Sequence, residues 1–151
     1  MLTTTEALEA VLAEAKVFAT ETVAADDATG RVLQQIVRAE RSQPPFDRVM
    51  MDGIALSWVD YNGGQRTFPI QAMQAAGDKV LSLQMGHCIE IMTGASLPDN
   101  ADCIVPVERI SIADGAAEIE ANYELKKNRF IHPHGSDFAE GAHLMTPGKR
   151  I

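Results

Sequence analysis

Apolar positions near the start of the chain follow a helical spacing. Between Glu6 and Lys16 they recur every three or four residues, as on one face of a helix. Thr4 or Thr5 precedes this stretch and suits the N-cap. The pattern therefore predicts an amphipathic helix over 6–16. A second, short helix is predicted from Asp26 to Leu33, because a pair of aspartates suits an N-cap and first turn.

Beyond residue 34 the pattern changes to short strands separated by turn residues. The predicted strands cover 35–39, 51–59, 67–74, 88–92, 102–107, 108–112 and 116–120. Asp114–Gly115 suits a two-residue hairpin turn. Short strands joined by Gly-rich turns favour an α+β fold, with a predominantly antiparallel β body and N-terminal helices.

The same pattern predicts how the chain is divided. Residues 1–42 form a helical and linker segment that is expected to pack with 139–151, and residues 43–138 form a β-rich domain. The last eleven residues suggest a strand, a turn and the beginning of another element. We therefore expect the chain to be a segment of a longer protein.

Charge and composition narrow the classes of partner. The 151 residues include 13 Lys and Arg against 21 Asp and Glu, giving a net charge of −8. The densest basic cluster, Lys126, Lys127 and Arg129, is too small for a nucleic-acid backbone, but a small anionic ligand stays open. A signal peptide and a membrane span are not indicated, so a cytoplasmic location is expected. Cys88 and Cys103 lie in apolar runs and are expected to be buried.

The segment PPFDRVMMDGIA, over 44–55, is the densest in candidate chemistry. Asp47 and Asp52 flank an apolar stretch, and Gly53 lets the backbone bend or approach a ligand closely. One interpretation is a loop in which the aspartates cap local N–H groups. The other is a carboxylate presented to a divalent cation such as Mg²⁺. The residues alone leave both open.

A second candidate segment leads from a strand into Thr93–Gly94. A hydroxyl and a glycine N–H there could face a phosphate or other oxyanion, or Thr93 could bond its own backbone and close a turn. Neither segment matches a P-loop or a dinucleotide fingerprint. Three histidines and an aspartate near the end could be read as metal ligands: His132, His134, His143 and Asp137. Loop histidines are the favoured interpretation, because no cysteine or second spaced pair completes a zinc set.

Together the segments resemble the signatures of the MoeA/gephyrin E-domain family, the molybdopterin molybdotransferases. The family's first signature is close to P-x-F-D-N-S-A-M-D-G-Y-A, compared with PPFDRVMMDGIA here. Its second is close to I-x-T-G-A-P-L-P-x-G-A-D-A-V-V, compared with IMTGASLPDNADCIV over 91–105. Residues 28–33 (ATGRVL) and 134–141 (HGSDFAEG) resemble the family's A-x-G-R-V-L and G-x-D-x-x-x-G. The four matches follow in order and span almost the whole chain.

The resemblance implies a reaction and a setting. The family inserts molybdate into adenylylated molybdopterin, releases AMP and forms the molybdenum cofactor, with a divalent cation, taken here as Mg²⁺. Its members are cytosolic homodimers with an elongated arrangement. Their site lies between this region of one subunit and a later α/β domain of the other. The present chain would stop before that domain, so by itself it is expected to be inactive. The alternative is a non-catalytic binding module derived from the family.

The resemblance also implies site residues. Asp52 and Thr93 would be catalytic, with Asp52 also holding the cation, while the Thr93 hydroxyl and the Gly94 N–H would bond ligand oxygens. The remaining substrate-binding candidates are Asp47, Gly53 and Asp137. The chain departs from the first signature at residues 48–50, where Arg-Val-Met replaces Asn-Ser-Ala. This change removes two small polar groups beside Asp52 and adds a cation, so the ligand is expected to be bound differently.

Overall fold

The computed structural model describes residues 2–16 and 18–151. It divides into two compact units, one of Met1–Val37 with His143–Ile151 and the other of Arg38–Ala142. The division at 43 and 138 that the sequence suggests stays a prediction.

The first unit begins with helix α1 (Thr4–Ala13), which confirms the first predicted helix. Its cap is Thr3 rather than Thr4 or Thr5. The Thr3 hydroxyl accepts from the Glu6 N–H, and the Glu6 carboxylate accepts from the Thr3 N–H at 2.7 Å. Thr3 takes the position because Glu6 stands three residues later and completes the capping box. The bonds from Thr3, the backbone one first, lower the pKa of Glu6.

The second predicted helix is wrong beyond its first turn. A 3₁₀ turn covers Ala25–Asp27, and the chain then turns at Gly30, whose φ is +84°. Leu33 exchanges backbone hydrogen bonds of 2.8 Å with Gly148 and Lys149. Residues 30–33 therefore pair with the last residues of the chain, which supply the backbone partners that a helix would otherwise provide. Two short strands, β1 (Val37–Arg38) and β10 (His143–Met145), also pair with each other.

The second unit contains a six-stranded sheet in the order β6-β3-β5-β4-β8-β7. Every neighbouring pair is antiparallel except β4 and β5, which are parallel. This confirms the α+β, mostly antiparallel fold class. The strands are β3 (Gly53–Leu56), β4 (Thr67–Gln74), β5 (Cys88–Ile91), β6 (Cys103–Pro106), β7 (Ile110–Ala113) and β8 (Ala116–Ile119). A separate antiparallel pair joins β2 (Arg48–Val49) to β9 (Ile131–His132).

Two connections show where local signals succeed and fail. Asp114 and Gly115 both have positive φ, +50° and +75°, which confirms the two-residue hairpin turn between β7 and β8. The strand predicted over 51–59, in contrast, ends at Leu56, and a short helix α2 (Trp58–Asn62) follows. The chain turns there because the Ser57 hydroxyl caps α2 and the Asp102 carboxylate accepts the Trp58 N–H at 2.6 Å.

Apolar side chains cover both faces of the six-stranded sheet. Ile54 and Leu56 join one cluster while Ala55, between them, joins the other, as strand alternation requires. Cys88 and Cys103 are buried, as expected, and both are free cysteines. Burial raises the pKa of Cys88 to about 12 and also raises the pKa of Cys103. In the described part of the chain, no helix combines the length and apolar character needed to cross a bilayer.

Candidate functional site

The first candidate segment passes through β2, and one edge of β2 is bonded to the second candidate segment. The Asp47 carbonyl accepts from the Leu97 N–H at 2.8 Å. The Val49 N–H donates to the Ala95 carbonyl, and the Val49 carbonyl accepts from the Gly94 N–H, each at 2.9 Å. The two segments that the sequence singled out are therefore joined by their backbones.

The other edge of β2 is bonded to a third segment, residues 130–137, which contains β9. Arg48 stands opposite His132 and Val49 opposite Ile131, and the Met50 N–H donates to the Phe130 carbonyl at 3.0 Å. Three segments that are far apart in the sequence thus meet on one two-residue strand. Val49 is almost fully buried at this junction, which anchors the strand to the core below.

Asp52 and Thr93 are in direct contact at the end of this junction. The Asp52 Oδ1 atom accepts from the Thr93 N–H and from the Thr93 hydroxyl, both at 2.7 Å. These bonds, the backbone one first, lower the pKa of Asp52, so its carboxylate is ionised at neutral pH. The carboxylate is exposed, and Oδ2 receives no hydrogen bond from any described residue. Oδ2 can therefore serve as a ligand for a cation.

Gly53 fits its position because nothing larger does. Its φ is +152°, and an added Cβ would lie 2.0 Å from the Val105 carbonyl oxygen. The close approach is made to β6, since Gly53 pairs with Pro106 on one side and Ile91 on the other. The glycine permits the bend that brings Asp52 to Thr93; its contact with a substrate stays a prediction.

The expected donors of the second segment are already engaged. The Thr93 hydroxyl donates to Asp52, and the Gly94 N–H donates to the Val49 carbonyl. Each group has one proton to give and donates it within the chain, and bonding of ligand oxygens by these two groups stays a prediction. Thr93 orients the carboxylate, and Gly94, with φ of +86°, supplies the turn.

The two other aspartates hold the third segment in place. Asp47 Oδ1 accepts from the His134 N–H at 2.7 Å. Asp137 Oδ1 lies 2.8 Å from His132 Nε2, and His132 Nδ1 lies 3.0 Å from Arg48 Nη2. Direct substrate contact by either carboxylate stays a prediction.

The histidines do not assemble a metal site. Within residues 2–16 and 18–151, no three His, Cys, Asp or Glu side chains are grouped so as to hold a metal ion. His132 is bonded to Arg48 and Asp137 through its two ring nitrogens. Asp47 and Asp137 also accept through one carboxylate oxygen each, so what distinguishes Asp52 is that Thr93 bonds it twice and lowers its pKa.

Gln74 supports the site although no sequence pattern indicates it. It is fully buried at the end of β4; its Nε2 donates to the Ser96 carbonyl at 2.6 Å, and its Oε1 accepts from the Leu81 N–H at 2.7 Å. The Gln74 carbonyl also accepts from the Met92 N–H. The side chain thus supports the loop that carries Thr93. A glutamine at a strand end is common on protein surfaces, so no local signal marks this one as buried.

The fold and the junction define the class to which the chain belongs. The mostly antiparallel six-stranded sheet matches the fold of the N-terminal region of a solved molybdopterin biosynthesis protein of the MoeA type. The chain belongs to the family described as "MoeA N-terminal region (domain I and II)", whose model matches residues 2–151.

Named relatives agree with this assignment. The chain is 38% identical, over all of its length, to the molybdopterin molybdenumtransferase of Synechocystis sp.. It is 30% identical over 87% of its length to the Bacillus subtilis enzyme of the same name. It spans only 39% and 32% of those two proteins. The solved structure of a molybdopterin biosynthesis MoeA protein from Pyrococcus horikoshii superposes with a TM-score of 0.77 at 26% identity, over 97% of this chain and 38% of that one.

Proposed function

We propose that the chain is the N-terminal part of a transferase that inserts molybdate into adenylylated molybdopterin, forming the molybdenum cofactor and releasing AMP. The observation that carries the proposal is the Asp52–Thr93 contact. It joins the two signature segments through a single ionised carboxylate that keeps one oxygen free. Relatives named molybdopterin molybdenumtransferase support the reaction class.

Asp52 has the properties that Mg²⁺ requires of a protein ligand. Mg²⁺ commonly takes one or two carboxylates and completes its shell with water and substrate phosphate oxygens. Asp52 is exposed, ionised and held in one orientation by Thr93, and its Oδ2 is free of described donors. We propose that this oxygen binds the cation, which neutralises charge on the pyrophosphate group when it is bound.

The rest of the site must come from elsewhere in the active protein. The chain spans 39% of the Synechocystis relative, so the transfer reaction is proposed for the longer protein rather than for these residues alone. By family resemblance we propose a cytoplasmic homodimer in which a later α/β domain of the second subunit faces this junction. The pterin nucleotide would be held between the two.

Substitutions at Asp52 test the proposal in the longer protein. Asp52→Asn keeps an oxygen that can accept from Thr93 but removes the charge, whereas Asp52→Ala removes both. If the carboxylate binds the cation, both variants should lower molybdate insertion by at least about a hundredfold at fixed Mg²⁺.

The matched control is Asp60→Asn, a change of the same chemistry in α2 of the same unit. It should leave insertion within about twofold, while near-native thermal unfolding of Asp52→Asn shows that the fold is retained. Full activity of Asp52→Asn would reject cation binding by this residue and leave it a purely structural role.

A non-catalytic binding module is the second candidate, and residues 48–50 favour it. The signature there is Asn-Ser-Ala, whereas this chain has Arg-Val-Met. Arg48 is hydrogen-bonded to His132, and Val49 is buried. The two candidates differ in one measurement. A binding module would bind the pterin nucleotide without releasing AMP even when molybdate, Mg²⁺ and the whole protein are present.

A further inference from the structure

Arg48 is oriented by two successive hydrogen bonds, from Arg48 to His132 and from His132 to Asp137. Its Nη2 lies 3.0 Å from His132 Nδ1, and His132 Nε2 lies 2.8 Å from Asp137 Oδ1. Because an arginine side chain can only donate, Nδ1 must be the acceptor. The imidazole proton is therefore on Nε2, where it is donated to Asp137. His132 and Asp137 together fix the direction in which the guanidinium lies.

This guanidinium has no counter-ion among the described residues. Arg31 and Arg109 each pair with a glutamate, while Arg48 forms no ion pair with any described Asp or Glu. Arg48 is half-buried, and of its five N–H donors the structure uses one. The imidazole of His132 stands between the guanidinium and the Asp137 carboxylate, so that carboxylate does not pair with Arg48 directly.

A held guanidinium with free donors is suited to one kind of ligand. Its planar fork matches the oxygens of a phosphate-like anion, and charge-assisted bonds of this type are the stronger ones in proteins. A partly buried cation also gains when an anion replaces the water it has lost. The position is next to the junction, because Arg48 stands opposite Ser96 on one edge of β2 and opposite His132 on the other.

We propose that Arg48 binds a tetrahedral oxyanion and that His132 and Asp137 are the residues that position it. The oxyanion is either a phosphate of the pterin nucleotide or molybdate itself, and this choice of ligands rests on the proposed function. Asp137 thereby acts through His132 instead of touching the substrate. The uncharged asparagine of the family signature cannot supply this charge, so the site gives the present protein an additional anion contact.

Titration of the 151-residue chain tests the site. Inorganic pyrophosphate and molybdate are added in separate experiments at low ionic strength, where charge interactions are least screened. The dissociation constant and the ¹⁵Nε signal of Arg48 are followed. Arg48→Met should weaken binding about tenfold or more, as expected for the loss of a charge-assisted bond. Arg48→Lys keeps the charge without the planar fork, so its dissociation constant should lie between those of the unsubstituted chain and Arg48→Met.

Arg109→Met is the matched control, because it removes a guanidinium of the same unit that is paired with Glu120. It should leave both dissociation constants unchanged. If Arg48→Met weakens binding of only one of the two anions, that anion is identified as the ligand. If it weakens binding of both, Arg48 recognises the oxyanion group that they have in common. The proposal is overturned if neither anion binds the unsubstituted chain, or if Arg48→Met binds both anions as tightly as the unsubstituted chain does.

The positioning role has its own readout. His132→Phe removes the acceptor for Arg48 but leaves its charge, so it should weaken oxyanion binding by less than Arg48→Met does. His132→Asn offers a side-chain oxygen in its place and should restore part of the affinity. Equal affinity in His132→Phe and the unsubstituted chain rejects the positioning role. Failure at Arg48 would leave the effect of Asp52→Asn on molybdate insertion untouched, so the two proposals fail separately.

Discussion

At Asp52 the two carboxylate oxygens have different tasks. Oδ1 holds the second segment through Thr93, and Oδ2 is open to a ligand. A residue of this kind is easily misjudged by truncation, because alanine removes the structural bond and the open oxygen together. The structural bond can be tested apart from the open oxygen by changing the partner, Thr93, and leaving Asp52 in place.

Thr93→Val should raise the pKa of Asp52 part of the way towards 3.8, the ordinary value of an aspartate, because the backbone bond from residue 93 is retained. The variant keeps the shape and the backbone N–H of residue 93 but removes the hydroxyl, which is the second of the two bonds that lower the pKa. The Asp52 carboxyl signal, followed by NMR as the pH is lowered, checks this shift.

The same bonds predict how stability depends on pH. Because the pKa of Asp52 is lowered on folding, its contribution is present above 3.8 and is lost as the pH falls through the lower, folded value. Thr93→Val should reduce the part of the acid loss that this residue causes, whereas Thr93→Ser should retain it. An unchanged Asp52 pKa in Thr93→Val would show that the hydroxyl does not bond the carboxylate in solution.

At the scale of elements, Gly53 decides whether β3 can lie against β6. Gly53→Ala places a Cβ 2.0 Å from the Val105 carbonyl oxygen, and backbone on both sides cannot give way. We expect the variant to lower the free energy of unfolding by at least about 3 kcal/mol, measured by chemical denaturation.

Gly64→Ala is the matched comparison for that variant. Gly64 also has a positive φ, +103°, but an added Cβ there would meet nothing within 4 Å. Only backbone strain remains, so a loss of about 1 kcal/mol is expected. Equal losses in the two variants would mean that the close approach to Val105 is not what requires a glycine at residue 53.

Local patterns were sufficient to predict most strands but not their partners. Residues 67–74 are recognisable as a strand because apolar positions alternate and Gly77 follows, and the structure has a strand with these bounds. The strand predicted over 51–59 was too long, because its last part depends on Asp102, more than forty residues away. Helix α2 could not be predicted without that contact.

The candidate site shows the same limit. The spacing of the two signature segments marked Asp52 and Thr93 separately, and the resemblance placed both in one site. Their direct bond depends on the register of β3 against β5, which sets Gly53 opposite Ile91. The chain of Arg48, His132 and Asp137 depends likewise on the pairing of β2 with β9. Neither register can be derived from local sequence, because it is fixed by packing between distant strands.

At the scale of the whole molecule, the two cysteines report on the second unit. Cys88 and Cys103 belong to one buried cluster of the six-stranded sheet, and burial raises the pKa of both thiols. At pH 8 a thiol reagent should therefore label neither in the native chain and both on global unfolding, at the same rate.

Mass spectrometry after pulses of reagent at increasing denaturant checks this expectation. Cys88 lies on β5 and Cys103 on β6, each next to β3 in the sheet order. Joint labelling would show that β5 and the edge strand β6 open as one cooperative unit. Labelling of Cys103 well before Cys88 would show instead that β6, at the edge of the sheet, detaches first.

The two-residue strand β2 is bonded on both edges through main-chain atoms, and this has a consequence for sequence change. Main-chain hydrogen bonds do not depend on which side chains the bonded residues carry. Substitutions at 48 and 50 can therefore accumulate while the three segments keep their mutual arrangement and the carboxylate at 52 keeps its place. A site assembled in this manner can acquire a new preference for its ligand by exchanging single side chains, without rebuilding the scaffold that presents them.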